Sequence, residues 1–444
     1  MQKQVNEELV RSIVEEVLQN LRKGPTASGS SASCGCRKGT AGNLGVFPDA
    51  NSAAAAARIA FEQLRGKGIE GRVKVVELVK RICTAKDEEW GKLEFAETKI
   101  GRLDHKIAKL QGIQNLPGVE WLRPYGMSGD HGISMEENTP FGVVGAITPV
   151  THSIPTLACN VINIVAAGNT VVFNAHPGGA KCAATAVRTF NAEIERELGI
   201  SNIITIIEEP TLDSFNELCA SPDVNLLVIT GGPGVVQAAM ASGKRAICAG
   251  PGNPPVVVDE SARLDKAARD IIFGASFDNN LLCIGEKQIY VLDKVYSQFL
   301  ESFKRAGAVQ LNDRELKALT AEAFNITDGG GGCSKAAVNR ALVGASPEML
   351  AKIAGRSIPQ GTELLFAETD QDHLFVEEEQ MMPMVPVIRV RDIQEAVKLA
   401  KESEHGYKHS SMIHTLNVEH MTYMAKALDS TLFVKNGACT AGLG

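Results

Sequence analysis

The sequence is poor in the features that mark several classes of protein. Its 444 residues carry a net charge of −7 and no dense basic stripe. A duplex binder needs a cationic face, so nucleic acid is not an expected partner. No apolar run reaches the roughly 18 residues of a membrane span. Glu and Arg interrupt the N-terminal segment, where a secretory signal needs an unbroken apolar core. The ten cysteines lack framework spacing and read as reduced thiols in a cytosolic setting. Cys34 and Cys36 have one residue between them, whereas zinc knuckles use about two to four. No second Cys/His pair follows them, and the nine histidines contain no HExxH pair, so no metal site is expected. There is no internal repeat, and the GxGxxG fingerprint of ordinary dinucleotide-binding folds is missing.

What is present has the balance of an ordinary globular protein, with 44% hydrophobic and 22% charged residues. The length fits two or three domains. Residues 1–23 stand apart. Val5, Leu9, Val10, Ile13, Val14, Val17, Leu18 and Leu21 recur at helical intervals among polar positions, which predicts an amphipathic helix with one narrow apolar stripe. A Gly/Ser/Ala/Thr-rich stretch follows, and residues 24–44 read as a flexible linker. A helix on such a tether is suited to docking on a partner.

From Ser52 to about Ile113 the composition predicts helix, and residues 117–140 read as extended strands and turns. Beyond residue 141, apolar runs such as GVVGAI, NTVVFN, NIITII, NLLVIT and NPPVVV alternate with helical stretches. A second alternating block, with KQIYVL, VPVIRV and SSMIHT, extends from Leu264 to about Val434. Such alternation signals βαβ units around parallel sheets. The expected architecture is α/β with two Rossmann-like parallel-sheet domains, residues 45–260 and 261–434, and a short C-terminal segment, 435–444.

Four segments could carry chemistry. Thr230-Gly-Gly-Pro-Gly234 follows a buried strand and opens a helix, an arrangement that suits a phosphate and equally a structural turn. Cys283, in SFDNNLLCIGEKQIY, is a thiol in a loop entering a strand. It could be a nucleophile or a packed core cysteine. Ala249-Gly-Pro-Gly-Asn-Pro-Pro255 fixes a special loop geometry. Glu379, in an acidic run before Pro383, could hold ribose hydroxyls or be a solvated charge.

Read in order, TPFGVVGAITPVTHSIPT, AAGNTVVFNAHP, VITGGPGVV, FDNNLLCIGEKQIY, EEEQMMPMVPVIRV and TLFVKNG resemble successive motifs of the aldehyde dehydrogenase superfamily, over residues 45–444. The resemblance is closer to the CoA-acylating propionaldehyde and ethanolamine-utilisation enzymes of bacterial microcompartments, a branch that carries an N-terminal amphipathic helix and linker. It implies a Cys283 nucleophile and an oxyanion held by the Cys283 backbone N–H and His152. It also implies a cofactor site drawn from Thr151, Asn174, His176, Thr230, Gly231, Gly232, Gly234, Gly250 and Glu379. The cofactors implied are NAD and coenzyme A. The substrate implied is a short aldehyde: propionaldehyde, lactaldehyde or acetaldehyde. A homo-oligomer is implied, with part of its oligomerisation element near 117–140, as is docking of residues 1–23 on a microcompartment shell or its co-cargo. The implied location is the microcompartment lumen within the cytoplasm.

The departures from the family are informative. Hydrolytic members carry a water-activating Glu where this sequence has Ala249. Without that base an acyl thioester should persist until another nucleophile, the thiol of CoA, arrives. Asn174 stands where hydrolytic relatives place Lys, and His152 where most relatives keep Asn. A neutral His can still donate one N–H. Relatives also continue beyond Gly444, so residues 435–444 read as a truncated segment. Three rivals remain: a hydrolytic dehydrogenase, a gamma-glutamyl phosphate reductase on the same scaffold, and a non-catalytic, shell-associated homologue.

Overall fold

The computed structural model describes residues 43–329 and 333–443. The expected helix 1–23 and the linker up to residue 42 lie outside the described residues. Asp49 opens the first helix, Ala50–Ala85, by accepting the Ser52 N–H at 2.8 Å. Ala53, Ala57 and Ala60 give that helix a face of small buried side chains, and it packs on the strands Thr170–Ala175 and Ile204–Ile207. Gly68, at φ 64°, interrupts the helical geometry, and the second half buries Val75, Val79 and Ile82. Helices Asp87–Thr98 and Leu103–Gly112 complete the helical region expected up to about Ile113.

Two parallel sheets carry the rest. The first runs, edge to edge, Val46–Phe47, Ile204–Ile207, Thr170–Ala175, Val143–Thr148, Val224–Thr230, Arg245–Ala249. The second runs Val309–Gln310, Leu365–Glu368, Met384–Val390, Gln288–Leu292, Pro255–Val258, Ser410–His414, Leu432–Lys435. Central strands such as Val143–Thr148, Thr170–Ala175 and Gln288–Leu292 are buried at every residue. This is why they read as unbroken apolar runs rather than alternating ones. Pro255–Val258 pairs with Gln288–Leu292 and Ser410–His414. The division between the sheets therefore falls between Ala249 and Pro255, ahead of the 260/261 division read from the sequence. The Gly250–Pro254 loop carries the chain across before the apolar run NPPVVV ends.

Residues Tyr125–Gly129 and Gly132–Glu136 form an antiparallel hairpin exposed at every position, with Met127, Ile133 and Met135 among the exposed apolar side chains. A two-stranded ribbon without a covering layer is marginal in water. Among the described residues no helix is long and apolar enough to cross a membrane.

Candidate active site

In the first sheet the strand order reverses between Val143–Thr148 and Val224–Thr230, and doubly wound sheets bind ligands at the carboxyl ends of strands beside such a reversal. The two loops leaving those ends are Pro149–His152 and Gly231–Gly232. The second sheet presents its opposite edge. Gly252 and Asn253 precede Pro255, Cys283 precedes Gln288, Glu379 precedes Met384 and His409 precedes Ser410.

Cys283 stands at the end of a loop of unusual backbone. Asp278, Asn279 and Asn280 have φ values of 50°, 56° and 63°. Asp and Asn accept the left-handed region better than other side-chain-bearing residues, and here their side chains lock it. Asp278 Oδ1 accepts the Arg102 N–H at 2.7 Å, and its own N–H goes to His105 Nδ1 at 2.8 Å. Asn279 Nδ2 donates to the Gly344 carbonyl at 2.9 Å. Asn280 Nδ2 donates to the carbonyls of Ala275 and Glu286 at 2.7 and 2.9 Å. The loop is rigid before any ligand arrives, which suits a positioned nucleophile.

Around the thiol, burial and then the Glu379 carboxylate hold Cys283 above the ordinary thiol range, while the buried Lys287 ammonium opposes them. Lys287 Nζ is fixed by the Asn280 carbonyl at 2.9 Å and by the Asn280 side chain. Glu379 accepts the Gly252 N–H at 3.4 Å, and burial pushes its carboxyl up. A Cβ on Gly252 would stand 2.7 Å from the Cys283 carbonyl oxygen and 3.0 Å from the His409 ring, so only glycine lets these three segments meet.

Three residues beyond Cys283 lies Glu286, fully buried. Its Oε1 accepts the Cys439 N–H at 2.8 Å, its Oε2 has no partner, and Gly274 leaves room for the carboxylate. Burial pushes its carboxyl up from 4.5 to about 7. The unfolded chain ionises this group from its ordinary value, whereas the folded chain holds the proton to near neutrality. Unfolding therefore releases a proton in that window, and stability falls as pH rises through it, then levels. The loss amounts to about 3 kcal/mol at most, from the spacing of the two values. Glu286→Gln should remove the dependence. Urea midpoints for the variant and the parent should nearly coincide at about pH 5 and separate in the variant's favour by about 2 kcal/mol at pH 8. Equal separation at both values would show that Glu286 stays ionised when folded.

His152 precedes the helix Ser153–Ala166. Burial, then Lys109 and Lys106, hold its ring well below the ordinary histidine range, so it is neutral. Lys109 Nζ lies 2.6 Å from His152 Nδ1 and also contacts Asp278 Oδ2. The loop leaving the first sheet thus meets the loop that carries Cys283. Thr151 takes part through its backbone, its carbonyl accepting from Lys106 Nζ at 3.3 Å.

The loop from Thr230 to Gly234 joins the strand Val224–Thr230 to the helix Pro233–Ala241. No side chain caps the helix Pro233–Ala241, and the space over Gly232 and Gly234 is open, which fits a phosphate against the free helix N-terminus. Gly231 donates to the Ala249 carbonyl at 3.3 Å, so Ala249 borders the same crevice, and Gly250 follows it. His176 lies exposed at the end of its strand, with Nδ1 accepting the Gly178 N–H at 3.0 Å. Asn174 is placed differently from the other expected cofactor residues. Its amide is taken up internally, Oδ1 accepting from Ser214 Oγ at 2.7 Å and Nδ2 donating to the Thr211 carbonyl at 3.4 Å.

The model of the aldehyde dehydrogenase family matches residues 44–324 and 352–443. The chain belongs to the aldehyde dehydrogenase family. It is 36% identical over 442 residues to the acetylating acetaldehyde dehydrogenase EutE of Escherichia coli, covering 99% of this chain and 91% of that protein. It is 37% identical over 403 residues to a CoA-propanoylating propanal dehydrogenase of Citrobacter freundii, covering 90% and 85%. Among solved structures, a Rhodopseudomonas palustris propionaldehyde dehydrogenase with bound CoA and an acylated cysteine superposes with a TM-score of 0.85 at 37% identity, covering 90% of each chain. A propionaldehyde dehydrogenase from the fucose utilisation microcompartment of Clostridium phytofermentans gives the same TM-score and identity, covering 90% of this chain and 91% of that one.

Several residues of this site escaped the sequence reading. His409, just before the strand Ser410–His414, is one, and His405 stands four positions ahead of it, a signal that was available. Lys109, Asp278 and Lys287 carry no such signal, because their roles depend on contacts that only the fold creates.

Proposed function

We propose that this chain oxidises a short aldehyde with NAD and passes the acyl group to coenzyme A. The observation that carries the reading is the Cys283 thiol on its rigid loop beside Glu379 and Gly252, with Ala249 in the crevice where a hydrolytic member has its water-activating Glu. Cys283 adds to the aldehyde carbon, and its proton leaves toward Glu379 or His409, which flank the same point. The oxyanion is held by the Cys283 N–H and His152. Bound NAD supplies the hydride acceptor, for which the open phosphate cradle at Thr230–Gly234 is fitted. Loss of hydride leaves a thioester on Cys283; the CoA thiol then takes the acyl group and restores the Cys283 thiol. The balance is one aldehyde, one NAD and one CoA giving one acyl-CoA, one NADH and one proton. Propionaldehyde, lactaldehyde and acetaldehyde are the candidate substrates. An assay with each, NAD and CoA, following NADH and acyl-CoA together, tests this; NADH without acyl-CoA would overturn it.

The same reading includes a homo-oligomer that covers the apolar side chains of the hairpin Tyr125–Glu136, and residence in a microcompartment lumen through residues 1–23. Residues 1–23 fused to a fluorescent protein are expected to concentrate it in shells in a cell that makes them. Leu9→Glu with Ile13→Glu, which puts two charges on the apolar stripe, should leave the fusion diffuse. A diffuse parent fusion would remove the lumen assignment.

A further inference from the structure

His152 is enclosed by a compact set of charged groups. Lys109, on the helix Leu103–Gly112, contacts its Nδ1 at 2.6 Å. Lys106, on the same helix, donates to Glu94 Oε1 at 3.0 Å and to the Thr151 carbonyl. Asp278 contacts Lys109 and lies 3.8 Å from Lys106. Lys106, Glu94 and Asp278 are all but fully buried, so the arrangement is held within the protein rather than by solvent.

An ammonium group has hydrogens to donate and no lone pair. Its close contact with Nδ1 therefore requires Nδ1 to be the bare, accepting nitrogen. In a neutral imidazole the single proton then resides on Nε2. An imidazolium would set N–H against N–H and add a third cation beside Lys106 and Lys109. Burial draws the Lys109 ammonium down from its ordinary range and Lys106 adds to this, while the direct contact with Asp278 opposes both; Asp278 at the same time belongs to the loop that positions Cys283.

We propose that Lys109 is a positioning residue: anchored on Asp278, it fixes His152 as the neutral Nε2–H tautomer, so that the ring offers one N–H donor beside the Cys283 loop. The proposal rests on the reading of His152 as an oxyanion donor. That donor is useful only in this tautomer. With the proton on Nδ1 the ring would present a lone pair to a developing negative charge.

Nitrogen NMR on the full-length protein carrying ring-15N histidine reads the tautomer directly, with His152→Gln identifying the signal. From about pH 6 to 9, His152 should show one bare Nδ1 and one protonated Nε2, with no titration. In Lys109→Met the ring should become a tautomer mixture. The kcat of that variant should fall roughly 10- to 100-fold, within the range for loss of one oxyanion donor, with KM for NAD little changed. Adding His152→Asn to Lys109→Met should recover much of the loss, because an amide N–H needs no tautomer control; a purely structural role for Lys109 predicts no such rescue. If Lys109→Met does not fold, Lys109→Met with Asp278→Asn removes both buried charges and carries the same comparison. A wild-type ring protonated on Nδ1 or on both nitrogens, or a double variant as slow as Lys109→Met alone, overturns the proposal. His152→Ala at unchanged kcat, with the Nε2–H signal present in the wild type, would instead overturn the oxyanion reading beneath it.

Discussion

Cys283→Ala should abolish aldehyde oxidation while leaving the protein folded. Removing a covalent nucleophile acts on the order of 10⁴–10⁶-fold in kcat. Glu379 and His409, which flank the same point, lack the thiol's capacity to form a thioester. The cost to stability should be small, about 1 kcal/mol, because the thiol is partly enclosed and the Asp278–Asn280 backbone is held by side chains other than Cys283. Circular dichroism and thermal midpoint check the fold. A second reading gives the same answer from the opposite direction. With propionaldehyde and NAD but no CoA, the parent should release one NADH per chain and then stall. Mass spectrometry should find one propionyl group on the peptide that contains Cys283. Full activity in Cys283→Ala, or the acyl group on another cysteine, would remove Cys283 from the mechanism.

Turnover without CoA should be slower by about 10²–10⁴-fold, the contribution of a general base that this chain lacks at Ala249. Ala249 ends the edge strand Arg245–Ala249, pairs with Thr230 and accepts the Gly231 N–H at the crevice. A carboxylate introduced there would enter the crevice from the strand end, on the chain segment that continues through Gly250 to Gly252 beside Cys283. Ala249→Glu should therefore raise free-acid formation without CoA by about 10-fold, short of a full base contribution because the Gly250–Pro254 loop sets the direction of approach. Quantifying propionate and propionyl-CoA by chromatography, with and without CoA, checks both statements. Equal rates of propionate formation without CoA and propionyl-CoA formation with it would make the chain a hydrolytic enzyme.

The parallel sheets were legible because strands buried on both faces must be apolar throughout, and the helices between them carry their own period. The glycine loop at Thr230–Gly234 was legible because a strand, a glycine cluster and a helix start follow each other without interruption. Cys283 was a different case: its local surroundings read equally well as core, and only the ordered set of six motifs raised it above the other cysteines. The polar anchors were illegible for a geometric reason. Lys109 and Asp278 are 169 residues apart, and Glu286 meets the Cys439 N–H across 153. Asn174 shows the reverse limitation. Its position in a motif suggested a ligand contact, whereas its amide ties the strand Thr170–Ala175 to the start of the helix Leu212–Ala220.

The anchoring of Asp278 has a mechanical consequence. Residues 43–443 form one compact unit, and this carboxylate is held by Arg102, Lys106 and Lys109, all of which precede the first long strand of the first sheet, although Asp278 itself belongs to the segment entering the second. Swinging the two sheets apart along this line would strip a buried carboxylate of its cations, at about 3–5 kcal/mol. The seam behaves as a weld rather than a hinge. Space for a second, bulky thiol substrate therefore has to arise by vacating the crevice after hydride transfer, with the nucleophile staying where the weld holds it.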